Sequence, residues 1–114
     1  MIKKKIGNGT FLFFSNFLHY KELTHAISTR HGGVSSNNYT SLNLSFQVGD
    51  KDDSVIENHR ILSQTLGFDL RSLATCQQIH QDKIAMVDGS YLKKDCFLPA
   101  NAFLGTDALV VRFI

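Results

Sequence analysis

Apolar residues fall in short bursts along this 114-residue chain. Residues 11–18 are dense in phenylalanine and leucine, and residues 23–29 form a second run. Both are predicted as strands, the first buried on at least one face. Residues 1–10 carry lysines, glycines and Asn8 and read as a terminus leading into a turn. Residues 35–41, rich in serine and asparagine, read as a loop that Tyr39 anchors to the body. Leu42-Asn43-Leu44 and Phe46-Gln47-Val48 alternate apolar with polar, the pattern of a short half-buried strand, ended by Gly49-Asp50.

The clearest periodicity follows. Val55, His59, Leu62 and Leu66 recur at helical spacing, widened by Ile56 and Ile61. Ser54-Val55-Ile56-Glu57 has the form of a capping box, with Asp52 and Asp53 placing negative charge at the positive helix end. Gly67 stands where a C-terminal cap belongs. His59 on this stripe reads as a packed or core-edge histidine. Beyond the helix, 73–79 and 84–87 are predicted strands joined by a short turn. Residues 88–104 read as a long surface connection, and 107–111 as a buried strand. The expectation is an α+β fold with short mixed or antiparallel strands and one capped helix, forming a single partial domain over 1–114.

Charge and cysteine content remove several functions. The net charge is +2, and apart from Lys3-Lys4-Lys5, read as a solvated end, it is spread along the chain. A nucleic-acid footprint would need a concentrated basic face. No apolar run reaches bilayer length or makes a secretory signal, so no membrane partner is expected. Two cysteines, Cys76 and Cys96, make no disulfide framework, which fits a reducing, cytoplasmic setting.

Candidate chemistry gathers at two places. Arg30-His31-Gly32-Gly33 follows the second predicted strand: an arginine fork suits phosphate or carboxylate, and glycines permit close backbone approach to a ligand. The competing reading is a polar hairpin loop with a solvated arginine. His80, at the end of a predicted strand, could ligate a metal or act as a base; the competing reading is a satisfied surface histidine. Cys76 and His80 share a strand face but would stand about 13 Å apart at ~3.3 Å per residue. Two ligands of one zinc lie within about 4 Å of each other, so a regular strand excludes that pair. Phosphate-loop, dinucleotide and nucleophile-elbow motifs do not occur.

Taken in order, six blocks carry a resemblance. They are Ser28-Thr29-Arg30-His31-Gly32-Gly33-Val34-Ser35, Tyr39-x-Ser41-Leu42-Asn43-Leu44, Val48-Gly49-Asp50, Val55-x-Glu57-Asn58-x-Arg60, Gln78-Ile79-His80 and Thr106-Asp107-Ala108-Leu109. The series resembles the N-terminal half of the YfiH family, once described as multicopper polyphenol oxidases (laccases) and now as purine nucleoside phosphorylases. Departures are Gln81 where the family usually has glycine, Thr106 where alanine is usual, and Cys76 at a typically apolar position.

The resemblance implies YfiH-type mixed β-sheets with flanking helices. It also implies zinc-dependent cleavage of adenosine, guanosine or inosine by phosphate, giving a free base and ribose 1-phosphate. Adenosine deamination and methylthioadenosine phosphorolysis are ascribed to the same site. By position, His80 would be the first of two histidines that bind zinc with one cysteine, and so a catalytic residue. The family's later Ala-Asp-Cys and His-Ala-Gly-Trp motifs are not in this chain. Copper, from the older description, is disfavoured because a multicopper site needs more histidine and cysteine ligands than stand here. Arg30, His31, Gly32 and Gly33 become the expected substrate- and phosphate-binding residues, while Asn43, Asp50 and Asn58 are read as structural. The expected partners are a purine nucleoside and phosphate. A truncated product or an excerpt is expected, with exposed strand edges that favour self-association or a complementary chain.

Overall fold

The structure, a computed structural model, describes residues 1–88, 97–98, 103–104 and 108–112. The chain folds as two compact units, Met1–Gly67 and Phe68–Ile114.

The first unit starts with a hairpin. β1 (Ile2–Ile6) pairs antiparallel with β2 (Gly9–Phe13), in register Ile6↔Gly9. Gly7 takes φ +59° at the first position of the two-residue turn, which a primed hairpin turn requires. Residues 1–10 are therefore mostly strand rather than terminus and turn. The three lysines that mask the strand pattern lie on an exposed edge, where they discourage pairing with another chain. β2 alternates cleanly, with Gly9, Phe11 and Phe13 turned inward. β3 (Ile27–Ser28) adds antiparallel to β2 through Phe11↔Ser28 and Leu12↔Ile27.

Two predicted strands are shorter than their apolar runs. The 11–18 run stops at Phe13, and Ser15–His19 turns as a 3-10 helix through amide bonds from Phe17 to Phe14 and Tyr20 to Phe17. Only Ile27–Ser28 of 23–29 is strand. Residues 42–48 are not strand at all. Asn43 accepts the Ser45 amide at 3.1 Å and Ser45 Oγ accepts that of Gln47 at 3.2 Å, so side chains satisfy the backbone and the segment turns. Tyr39, in the 3-10 turn Asn37–Tyr39, donates its hydroxyl to the Val48 carbonyl, anchoring the loop.

α1 spans Asp52–Leu66. Its N-cap is Lys51, without a side-chain cap, so Ser54 sits inside the first turn and the predicted capping box does not form; Asp52 and Asp53 face the positive end as expected. Gly67 closes the helix at φ +78° and donates its amide to Ser63 at 2.9 Å. Leu62 and Leu66 pack on the core of Phe11, Phe13 and Leu42, where each buried phenylalanine contributes about 1.5–3 kcal/mol.

In the second unit, β4 (Cys76–Gln77) pairs parallel with β6 (Phe103–Leu104), and β5 (Ile84–Asp88) pairs parallel with β7 (Ala108–Arg112). The predicted strand 73–79 contracts to Cys76–Gln77. It joins a different sheet from β5, so the short turn between them makes no hairpin. Val87 and Phe97 are buried, and Cys76 is half-buried. Cys96 lies outside the described residues, as does most of the predicted 88–104 connection. Strands of both pairing types with one principal helix make the fold mixed α+β. Among the described residues no helix is long and apolar enough to cross a membrane.

Candidate functional site

β3 delivers the chain to the Arg30–Gly33 segment, and Thr29 Oγ1 ties the exit to the Thr10 carbonyl at 2.6 Å. The loop then folds onto residues 40–42. The Arg30 carbonyl accepts the amides of Ser41 and Leu42 at 2.6 and 2.8 Å and the Ser41 hydroxyl at 3.0 Å. The same hydroxyl accepts the amides of Gly32 and Gly33 at 3.0 and 3.1 Å. One donor and two acceptor positions are all a hydroxyl has, so Ser41 is fully used. The Val34 amide goes to Asn58 Oδ1 at 2.8 Å, and that of Ser35 to the Ser41 carbonyl at 2.9 Å.

The glycines are needed for close approach, and what approaches is the chain itself. A Cβ on Gly33 would lie 2.2 Å from the Ser41 carbonyl oxygen and 2.5 Å from Asn58 Oδ1. Gly32, at φ +106°, has no room beside Gly9. With the amides of 32–35 all engaged internally, an anion arriving here would be met by side chains.

Arg30 is placed to meet one. Its side chain is exposed, and Nε donates to the Thr40 carbonyl at 2.8 Å, which steadies the guanidinium. Its two Nη groups have no partner among the described residues. His31 is also exposed. With Gly32 and Gly33 it lines a cavity of about 600 Å3 whose walls include Ser41, Leu42, Ile61 and Leu62; Arg30 is outside that lining. The Thr40–Ser41 peptide below Arg30 is cis.

Behind the loop lies a polar cluster that periodicity alone assigns to no role. Asn58 is fully buried on the inner face of α1, and its Nδ2 donates to Ser35 Oγ at 2.9 Å and the Asn43 carbonyl at 2.8 Å. Asp50 accepts from Ser35, Asn43 and the Lys51 amide. These donors, the Ser35 hydroxyl first, hold its carboxyl below the ordinary carboxylate range. Asn43, Asp50 and Asn58 therefore act in the architecture of the loop. The available signal was Asn58 on an apolar stripe, three residues after Val55: an amide there must find partners inside.

His80 belongs to the second unit. It is exposed, at φ +57°. Among the described residues no three His, Cys, Asp or Glu side chains come together to hold a metal ion. The described residues alone thus do not fit a zinc centre, which takes three protein ligands at a catalytic site. Two further histidines, His25 and His59, have local work. His25 Nε2 accepts the Phe14 amide at 3.0 Å amid Phe13, Phe14 and Phe17. His59 is buried, stacked on Phe46 with ring centroids 5.4 Å apart.

The blocks that converge on this loop also identify the lineage. Residues 24–113 match the family model described as multi-copper polyphenol oxidoreductase laccase. The chain belongs to that family. Within it, the chain is 35% identical over 83 residues to the purine nucleoside phosphorylase YlmD of Geobacillus stearothermophilus, covering 73% of this chain and 30% of that protein. The crystal structure of that YlmD has a TM-score of 0.71, at 34% identity, covering 75% of this chain and 32% of the other. YfiH of Bacillus licheniformis, a hypothetical protein by its description, has a TM-score of 0.77 at 25% identity, covering 91% and 37%. The adenosine deaminase RL5 from an unknown prokaryotic organism is 35% identical over 88 residues, covering 76% and 34%. The chain spans about a third of the length of these family relatives.

Proposed function

We propose that this chain carries the substrate-facing loop of a purine nucleoside phosphorylase, with Arg30 and His31 turned toward phosphate and nucleoside. The observation that carries the reading is the Arg30 guanidinium, steadied through Nε while its Nη groups have no partner among the described residues. Phosphorolysis of inosine, adenosine or guanosine needs an anion held beside the ribose carbon, and a planar fork of donors suits a phosphate. The glycines give the loop its path, so that Arg30 and His31 leave it at fixed places. Relatives named purine nucleoside phosphorylase and adenosine deaminase support nucleosides as the substrate class.

Zinc enters as part of the same proposal, with His80 as one ligand and the others from outside the described residues. Metal analysis of wild type against His80→Ala reads this without any activity. Substoichiometric zinc that His80→Ala abolishes is the expected result, since one protein ligand makes no stable site.

Release of hypoxanthine from inosine by the purified chain, with and without phosphate and zinc, tests the reading. Release that requires phosphate supports it. Because no three metal-ligating side chains come together among the described residues, a second reading has standing: a site completed by a complementary chain. A well-folded protein without turnover would sink catalysis by this chain alone and leave that second reading.

A further inference from the structure

The hydrogen bonds behind the loop run in one direction. The Val34 amide can only donate, so Asn58 must present Oδ1 to it, at 2.8 Å. That choice turns Nδ2 toward Ser35 Oγ and the Asn43 carbonyl. Ser35 Oγ, accepting from Asn58, sends its single proton to Asp50 Oδ2 at 2.5 Å. The same Asp50 oxygen accepts Asn43 Nδ2 at 3.1 Å, while Oδ1 accepts the Lys51 amide at 2.8 Å. Asn58 Nδ2 thus feeds Ser35 Oγ and the Asn43 carbonyl, while the Ser35 hydroxyl, Asn43 Nδ2 and the Lys51 amide all aim their protons at one carboxylate. Of the groups linked in it, Asp50 is the charged one, and it stands 15 residues beyond Ser35.

We propose that Asp50 is the positioning residue of the candidate site: its carboxylate takes the Ser35 proton at the far end of the Ser35–Asn58 relay, and so holds the relay and the Arg30–Gly33 loop in place. The inference deepens the phosphate-facing reading of that loop and, for its link to ligand, rests on it. A carboxylate is required because three donors converge there. A carboxamide offers a single oxygen and brings an N–H2 group toward the Asn43 amide or the Lys51 N–H. If Ser35 turned its proton toward Asn58 instead, Nδ2 would lose that acceptor and keep only the Asn43 carbonyl, and the Asn58 grip on Val34 would loosen. Asp50 also lies two residues before α1, so a purely local role at the helix start is the alternative to be separated.

The experiment compares the full chain with Asp50→Asn, Ser35→Ala and the double variant, by amide hydrogen exchange and by NMR titration with inorganic phosphate. Gly32, Gly33 and Val34 amides are expected to exchange at least tenfold faster in each single variant, while the amides of Val55 to Ser63 keep their protection. The double variant should be no faster than the worse single one, because both cut the same relay. Phosphate binding should weaken by about tenfold in folded protein, which loss of stability alone would not produce. Unchanged loop exchange in Asp50→Asn, or strictly multiplicative effects in the double variant, would overturn the proposal and confine Asp50 to the helix start. If the wild type shows no response to phosphate while Asp50→Asn still loosens the loop, the positioning stands and the phosphate-facing reading falls.

Discussion

Asn58, on the buried face of the helix, accepts the backbone amide of Val34, 24 residues earlier, at 2.8 Å. Two further bonds leave its Nδ2, so one side chain joins the helix to the loop and to residue 43. Asn58→Ala would strand the Val34 amide and the Asn43 carbonyl in a buried site. A loss of about 2–4 kcal/mol is expected, since each stranded group carries its desolvation cost. Urea unfolding checks it: the midpoint should fall with the slope unchanged. A change below about 0.5 kcal/mol, the range of ordinary surface substitutions, would show that the three bonds are not maintained in solution.

Two glycines separate space from backbone conformation. Gly33→Ala would place a Cβ 2.2 Å from the Ser41 carbonyl and 2.5 Å from the Leu42 Cα, both backbone atoms that cannot step aside. It should destabilise by about 2–4 kcal/mol, as overpacking and loss of the Asn58 bond combine. At Gly7 nothing lies within 4 Å, and the φ of +59° is the sole obstacle. Gly7→Ala should therefore cost about 1 kcal/mol. Thermal melts of both variants in parallel decide the order, and equal losses would contradict it.

The contrast between these positions also marks what a sequence can carry. The helix is legible because Val55, His59, Leu62 and Leu66 repeat at its period and Gly67 stops it, and all of that is local information. β1 is not, because Lys3, Lys4 and Lys5 occupy an edge strand whose exposed face needs no apolar residue. Residues 42–48 alternate like a strand, yet Asn43 and Ser45 bond their own backbone and cancel the pattern. The Arg-His-Gly-Gly loop is legible as a place of close backbone approach. Which backbone approaches is a tertiary fact: it is Ser41 and Leu42, and the spare donors are those of the Arg30 side chain.

His59 makes stability depend on pH. The ring is buried against Phe46, and Nδ1 meets the Val55 carbonyl at 2.8 Å. Burial pushes its pKa below the ordinary value of 6.5, with the Val55 carbonyl opposing in part. The unfolded chain then binds the proton more readily than the folded one, so stability rises with pH across the interval between the two values. The contribution is complete above about pH 6.5 and is lost as pH falls through the folded value. Asp50, whose carboxyl is depressed, loses its contribution in a separate and lower window, below about pH 4. Unfolding free energies measured from pH 7.5 to 5 should slope for the wild type and flatten for His59→Gln.

Arg30 should behave in the opposite manner to Asn58, with much binding and little stability at stake. Its side chain is exposed and, among the described residues, makes a single bond, from Nε to the Thr40 carbonyl. Arg30→Ala should therefore shift unfolding by no more than about 0.5 kcal/mol. The same substitution should abolish the response of the His31 and Gly32 resonances to inorganic phosphate. Arg30→Lys keeps the charge but loses both the Nε tether and the paired Nη donors, so an intermediate loss is expected. In a turnover assay the loss should appear mainly as a raised KM for phosphate. If Arg30→Ala instead destabilised the fold by more than about 1 kcal/mol and left the phosphate response intact, the guanidinium would be a structural clamp on Thr40.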